Sequence, residues 1–274
     1  MYISYSGFKL FLMCREAYWH RYVNKTKIPA DNAVNALYGS IVGEIFEDFY
    51  TKKIWRRPDA RQRLLTMVEP YTDREIKNRL KKGDKIDWDE KRANYDSREE
   101  LLVDVREAIP RGLRSVKQHK LLGPRADAEV KLDKRVGPHQ IGGRADFIFH
   151  RVAPFSDLVI IDGKGSKWRH KYIDPMQIFW YAMLFRLHDE TADKAGFLYW
   201  RFEPNESIDW VDFNPEDLDK LQSDIVSALD GIQAAIDEES AEHFFRPKVG
   251  DSCRFCEYEG NCSKTRGGVD DISM

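Results

Sequence analysis

The sequence predicts an α/β fold, a mixed central sheet flanked by helices, and three observations carry that expectation. Apolar residues recur at helical spacing through the first fifty or so positions, before any strand signal appears. At Ala128 the period switches to strand-like alternation, and Leu158–Lys164 is short and strongly apolar. Helical patterns return at Pro175 and Pro215, so strands lie between helices as a layered core requires.

The elements follow in order. Ser6–Tyr22 reads as a first helix, with Phe8, Leu12, Tyr18, Trp19 and Tyr22 as its apolar stripe, Ser4 or Ser6 as its cap and Cys14 inside it. Ala36–Lys53 reads as a second, burying Ile41, Ile45, Phe46 and Phe49 and turning Glu44, Glu47 and Asp48 elsewhere. Residues 54–124 are charge-rich and mostly helical in pattern, broken around Gly83 by Asp84, Asp87 and Asp89; they read as a helical insertion covering one side of a single domain. Ala128–Lys134 and Gln140–Arg151 are strands, Pro154–Asp157 a turn, and Leu158–Lys164 the next strand. Pro175 opens a helix to Leu187. Ala195–Phe202 and Ile208–Phe213 form a hairpin around Pro204 and Asn205. Asn214 and Pro215 start the last long helix, whose buried face is Leu218, Leu221, Ile225, Leu229, Ile232 and Ile236, and a cysteine-rich segment at 243–264 follows.

Composition narrows the class. With 42% hydrophobic and 33% charged residues the chain reads as a soluble globular protein, and no apolar run approaches the roughly 18 residues of a membrane span. The first fourteen residues lack the basic start and cleavage site of a signal peptide, so a cytoplasmic protein is expected. A net charge of −2 argues against indiscriminate nucleic-acid binding but leaves room for a local basic groove.

Four cysteines stand at the two ends of the chain: Cys14, then Cys253, Cys256 and Cys262 in a C-x2-C-x5-C run. The run leaves a three-ligand set one short, and Cys14 alone can complete it. A four-thiolate set suits Zn²⁺ or an iron–sulfur cluster, and metal ligation is favoured over disulfides in such a chain. Completing it would fasten the termini together across the intervening domain.

The sharpest chemical signal is Asp162-Gly163-Lys164 at the end of a buried strand, where alternation puts Asp162 and Lys164 on one side. Upstream, Gly142-Gly143-Arg144-Ala145-Asp146 precedes a turn at Pro154 that lies midway between the two aspartates. A hairpin folded there sets Asp146 opposite Asp162. Paired carboxylates bind Mg²⁺ or Mn²⁺ through oxygen, and the adjacent lysine can position a water or offset charge at a phosphate. Glu129 on the preceding strand is a further candidate ligand. Arg144, Lys167, Arg169, His170 and Lys171 are candidate phosphate contacts. Trp168 and Trp180 have faces that can stack on unpaired bases, though core packing is the expectation for both.

These residues resemble the PD-(D/E)xK nuclease superfamily. Gln177-Ile178-Phe179-Trp180-Tyr181 is similar to the Q-x3-Y motif of its RecB-like branch, and Ser4-Tyr5-Ser6 with the four cysteines resembles the iron–sulfur members, which include Cas4 proteins and the nuclease domain of AddB. The resemblance implies a restriction-endonuclease-like core and a metal-dependent DNA exonuclease acting on single strands or DNA ends. It implies Asp146 and Asp162 as metal ligands with Gly163 beside them, Lys164 as the catalytic lysine, and Gln177 and Tyr181 near the DNA. It further implies a [4Fe–4S] cluster on Cys14, Cys253, Cys256 and Cys262, and a helicase, recombination or CRISPR-adaptation partner. One departure stands out: Gly43 falls where a metal-binding histidine is expected, so that Glu44 or Glu47 supplies an oxygen in its place or the metal binds more weakly. That departure also sustains two alternatives, a DNA-end-binding subunit with little catalysis and an iron–sulfur scaffold.

Overall fold

The computed structural model describes residues 1–30, 32–91, 93–123, 126–150, 158–169, 174–238, 241–250, 253 and 256–266. Their contacts divide the chain into two compact units, one of 1–28, 133–142 and 219–274, the other of 29–132 and 143–218.

The larger unit holds most of the six-stranded sheet. Strand β2 (Ala126–Val136) pairs with β3 (His139–His150), and β3 runs antiparallel to β4 (Leu158–Lys164). Strand β4 is parallel to β5 (Ala192–Tyr199), which is antiparallel to β6 (Ile208–Val211), so the sheet is mixed as expected. The turn expected at Pro154–Asp157 lies outside the described residues.

Helix α3 (Val34–Thr51) buries Leu37, Tyr38, Ile41, Ile45, Phe46 and Phe49 at three- and four-residue spacing. Helices α4 (Ala60–Lys81) and α5 (Arg98–Gln118) pack with it into one core that also takes in Phe147, Phe149, Val159, Ile161 and Trp200 from the strands. The approach of α5 is close: a Cβ at Gly112 would stand 2.3 Å from the Phe46 ring, which itself stacks on Trp200 at 4.3 Å. Ser97 caps α5 by accepting from the Glu100 amide, while the 3₁₀ turn Pro204–Glu206 links β5 and β6. Helix α6 (Pro175–Leu187) connects β4 to β5 and starts with proline, whose missing N–H costs nothing in a first turn.

The smaller unit begins with β1 (Tyr2–Ser4), parallel to the opening residues of β3 in the register Tyr2↔Gln140. Helix α1 (Tyr5–Met13) is capped by Ser4, which accepts from the Gly7 amide at 3.3 Å. The single helix expected over Ser6–Tyr22 is instead broken. Cys14 adopts an extended conformation (φ −158°, ψ 113°), followed by α2 (Arg15–Tyr18) and a π-helical turn (Trp19–Val23). The apolar stripe shifts accordingly: Phe8, Phe11 and Tyr18 are buried, whereas Leu12 and Tyr22 are exposed. Helix α7 (Pro215–Asp237) starts at Asn214, which accepts from the Asp217 amide at 2.8 Å, and Ile225, Leu229 and Ile232 bury its face. Short helices α8 (Ala241–Phe244) and α9 (Ser263–Arg266) complete the unit. Among the described residues no helix is long and apolar enough to cross a membrane.

Candidate active site

The β3–β4 register pairs Phe147 with Ile161, so Asp146 and Asp162 stand opposite one another one step further on. Asp162 is buried and Asp146 half-buried, and the Asp146 carboxylate accepts a 2.9 Å hydrogen bond from the Gly163 amide. Gln177, one turn into α6, spans the acid and the lysine. Its Nε2 donates to Asp162 Oδ1 at 2.6 Å and its Oε1 accepts from Lys164 Nζ at 2.8 Å. The opposite charges of its two partners fix which way the amide faces. Lys164 Nζ also stands 2.6 Å from Asp162 Oδ2, so the ammonium pairs directly with the buried carboxylate.

Electrostatics mark the pair as strained. Burial pushes the Asp146 carboxyl well above the usual range, and Asp162 and Glu129 push it in the same direction against the Gly163 amide and Lys164. Burial also raises Asp162, with Lys164 opposing. Tyr181, one turn beyond Gln177, is raised first by burial and then by the two aspartates, so its hydroxyl keeps its proton.

Glu129 reaches this field from β2 in a backbone conformation rare for a residue with a side chain, φ +54°. Such strain is typically held in place by surrounding structure and concentrates at functional sites. Its carboxylate pairs with Arg144 at 2.5 Å, and burial raises it while Arg144 opposes. On α3 the acids divide their work. Glu44 pairs with Arg74 at 2.7 Å, and Asp48 pairs with Lys52 at 2.5 Å and accepts from the Tyr71 hydroxyl. Glu47 instead is raised by burial and then by Glu129. A Cβ at Gly43 would meet nothing within 4 Å, so open space stands beside that turn of the helix.

Not every candidate joins this group. Arg169 is held by Asp209, with Nε donating at 2.9 Å, and by the Ile208 carbonyl. Lys167 donates to the Asn94 carbonyl at 3.2 Å and lies over the Tyr95 ring. His170 and Lys171 lie outside the described residues. Trp180 is fully buried, as packing requires, but Trp168 is 64% exposed, contrary to the core position expected for it.

Sequence reasoning missed Arg201. Its Nε donates to the Gly165 carbonyl at 2.8 Å, its guanidinium covers the Tyr38 ring at 3.5 Å, and it bonds Asp104 and the Tyr95 hydroxyl. It thereby pins the backbone one residue past Lys164 to α3 and α5. No motif announced it, because an arginine after a strand reads as a surface residue until its buried partners are known.

The cysteines belong to the smaller unit. None of the four forms a disulfide, and all four line one cavity of about 580 Å³ with Leu10, Met13, Ala17 and Tyr258. Burial raises the Cys256 thiol, and the other three cysteines raise it further. The break at Cys14 is what turns this residue out of the helix pattern. Glu16, unremarked in the sequence, accepts from the Ser263 amide at 2.7 Å, from the Ser263 hydroxyl at 3.1 Å and from the Cys262 thiol at 3.5 Å. Among the described residues no three Cys, His, Asp or Glu side chains already stand at metal-ligand spacing. The donor chemistry nonetheless fits hard cations at the carboxylates, where two acidic side chains face each other across the strand pair, and a thiophilic group in the cysteine cavity.

The sequence profile of the PD-(D/E)XK nuclease superfamily matches residues 2–263. Among solved structures, a protein from Eubacterium rectale whose provisional name is exonuclease is 13% identical, covering 100% of this chain and 90% of its own, with a TM-score of 0.50. Another, designated SSO0001, is 18% identical over 84% of each chain with a TM-score of 0.32. A search of curated proteins finds no match.

Proposed function

The chain belongs to the PD-(D/E)XK nuclease superfamily, and from that premise we propose that it is a metal-dependent deoxyribonuclease of the RecB-like, Cas4-like iron–sulfur type, an exonuclease acting on single-stranded DNA or DNA ends. The observation that carries the reading is the carboxylate pair with Lys164 and Gln177 bonded to one of its members. Two like charges desolvated side by side are unfavourable unless a cation joins them.

In this reading Asp146 and Asp162 hold Mg²⁺ or Mn²⁺, with Glu129, the Gly163 backbone and Glu47 completing the oxygen set. The bound ion supplies Lewis acidity at the scissile phosphate and acidifies a water. Lys164 then orients the attacking water and offsets the charge that grows on the phosphoryl oxygens. As the water oxygen bonds to phosphorus and gives up a proton to solvent, the bond from phosphorus to the leaving sugar oxygen breaks and that oxygen takes up a proton from solvent. Gln177 holds Lys164 and Asp162 in mutual register. Glu47 stands in for the histidine absent at Gly43, because Glu44 is committed to Arg74 while Glu47 shares its field with Glu129. Arg144 and Lys167 are phosphate contacts, and Tyr181 a motif residue beside the DNA.

Cys14, Cys253, Cys256 and Cys262 hold a [4Fe–4S] cluster in this proposal, with Zn²⁺ the other thiolate-seeking candidate. Their shared cavity supports a common occupant. The setting is cytoplasmic DNA-end processing with a helicase, recombination or CRISPR-adaptation partner. A second reading, an end-binding subunit with little catalysis, rests on Gly43.

Anaerobically purified protein given end-labelled single- and double-stranded DNA should shorten it only with Mg²⁺ or Mn²⁺. Lys164→Ala should abolish cleavage while keeping DNA affinity, and Glu47→Gln should raise the metal concentration needed. DNA binding without cleavage by the parent protein would select the end-binding subunit, and absence of both would select the scaffold.

A further inference from the structure

The loop that leaves β4 carries Trp168 four residues past Lys164, and its ring is the most exposed large apolar side chain among the described residues. Single exposed apolar residues are common and by themselves mean little. What distinguishes this one is how the loop holds it. On one side Lys167 is anchored to the Asn94 carbonyl and lies over Tyr95 at 5.2 Å. On the other, Arg169 is anchored to Asp209 and to the Ile208 carbonyl. Between them the Ser166 hydroxyl accepts from the Trp168 amide at 2.9 Å and donates to the Trp168 carbonyl at 3.0 Å, closing the backbone on itself. Both neighbours are pulled toward the protein while the indole stays out in water, so the ring is presented rather than left loose.

Its position in the chain limits its distance from the chemistry. Four residues of extended chain span at most about 14 Å, so the ring stands within reach of nucleotides flanking a phosphate at Lys164. A nucleotide within a duplex has its base faces already occupied by its neighbours, whereas an unpaired base has a face to offer. An exposed indole binds such a face without regard to sequence, because every base has one.

We propose that Trp168 is a stacking platform for an unpaired base next to the scissile phosphate, which makes single-stranded DNA, or the frayed end of a duplex, the substrate class of this site. The proposal rests on the nuclease reading and adds strand selectivity to it. Phosphate contacts from Arg144 and Lys167 would serve single and double strands alike, so strand selectivity comes from the ring.

The test is equilibrium binding of fluorescent oligonucleotides to the full-length Lys164→Ala protein with Mg²⁺, so that DNA stays intact. In that background Trp168→Ala should weaken binding of single-stranded DNA about ten-fold or more, Trp168→Phe should restore most of it, and fully paired duplex should be unaffected. An oligonucleotide of abasic sites should bind both proteins equally. Unchanged single-strand affinity in Trp168→Ala, or equal losses on the abasic strand and the duplex, overturns the platform and leaves the nuclease reading standing. Absence of any DNA binding by the parent protein overturns both.

Discussion

At the residue scale the acids make the firmest case. Asp146 stands half-buried opposite Asp162, and its carboxyl is held well above the ordinary value by desolvation first and by its acidic neighbours second. A carboxyl that binds its proton more tightly when folded costs stability as pH rises past its unfolded value, and the full cost is present above its folded one. The metal-free protein should therefore lose stability as pH climbs from the ordinary carboxyl range upward. Asp146→Asn removes that cost: melting in chelator at pH 8 should rise relative to the parent, by roughly 2–4 °C for each kcal/mol gained. Added Mn²⁺ should raise the parent's melting point, more at pH 8 than at pH 5, and should barely move the variant. A variant that melts lower in chelator at pH 8 would mean that the Gly163 amide bond outweighs the like-charge repulsion. The aspartates and Lys164 were legible in the sequence because strand alternation and an expected turn midway between the acids set where they meet, and Gln177 only through its resemblance to a family motif. Glu16 and Arg201 were not, because their partners lie far along the chain, and the exposure of Trp168 was misjudged because loops have no period to read.

At the scale of elements the question is what holds the end of β4 against α3. Here two backbones touch: a Cβ at Gly165 would lie 2.7 Å from Gly39 Cα, a backbone atom with nowhere to retreat. Arg201 closes the contact by bonding the Gly165 carbonyl while covering Tyr38, one residue from Gly39. The glycine at position 165 is thus explained by close approach, which nothing in the sequence announced. Gly165→Ala must push strand end and helix apart, and overpacking of this kind costs about 1–3 kcal/mol. Because Lys164 is the adjacent residue and α3 carries Glu47, turnover should fall more than DNA affinity. A variant that melts lower yet cleaves at the parental rate would show that the crossing serves stability alone. The helical pattern of residues 54–124 was also readable, but not its depth: α4 and α5 share one core with the strands, and Gly112 records that closeness only once Phe46 is seen against it.

For the molecule as a whole, the decisive feature is a cavity built from residues more than two hundred positions apart. The C-terminal segment of the smaller unit is already held by protein contacts alone, to α2 through Glu16 and to the π-helical turn after it through Arg21, which pairs with Glu257 at 2.6 Å. A cluster bound by Cys14 and the three distal cysteines would add a cross-link closing a loop of about 240 residues, and chain-entropy arguments value such a closure at roughly 5 kcal/mol as an upper figure. These two contributions differ in what removes them. Cys14→Ser should bleach an anaerobically purified brown protein, or lose its zinc if that is the occupant, and should lower the melting temperature by several degrees. It should not release the C-terminal segment to protease at ambient temperature, because Glu16 and Arg21 still hold it. Adding Glu16→Ala to Cys14→Ser should release it. Rapid cleavage of the segment in the single variant would assign the whole attachment to the bound group, and a colourless, metal-free parent protein with the same melting point would remove the group from the fold's stability altogether.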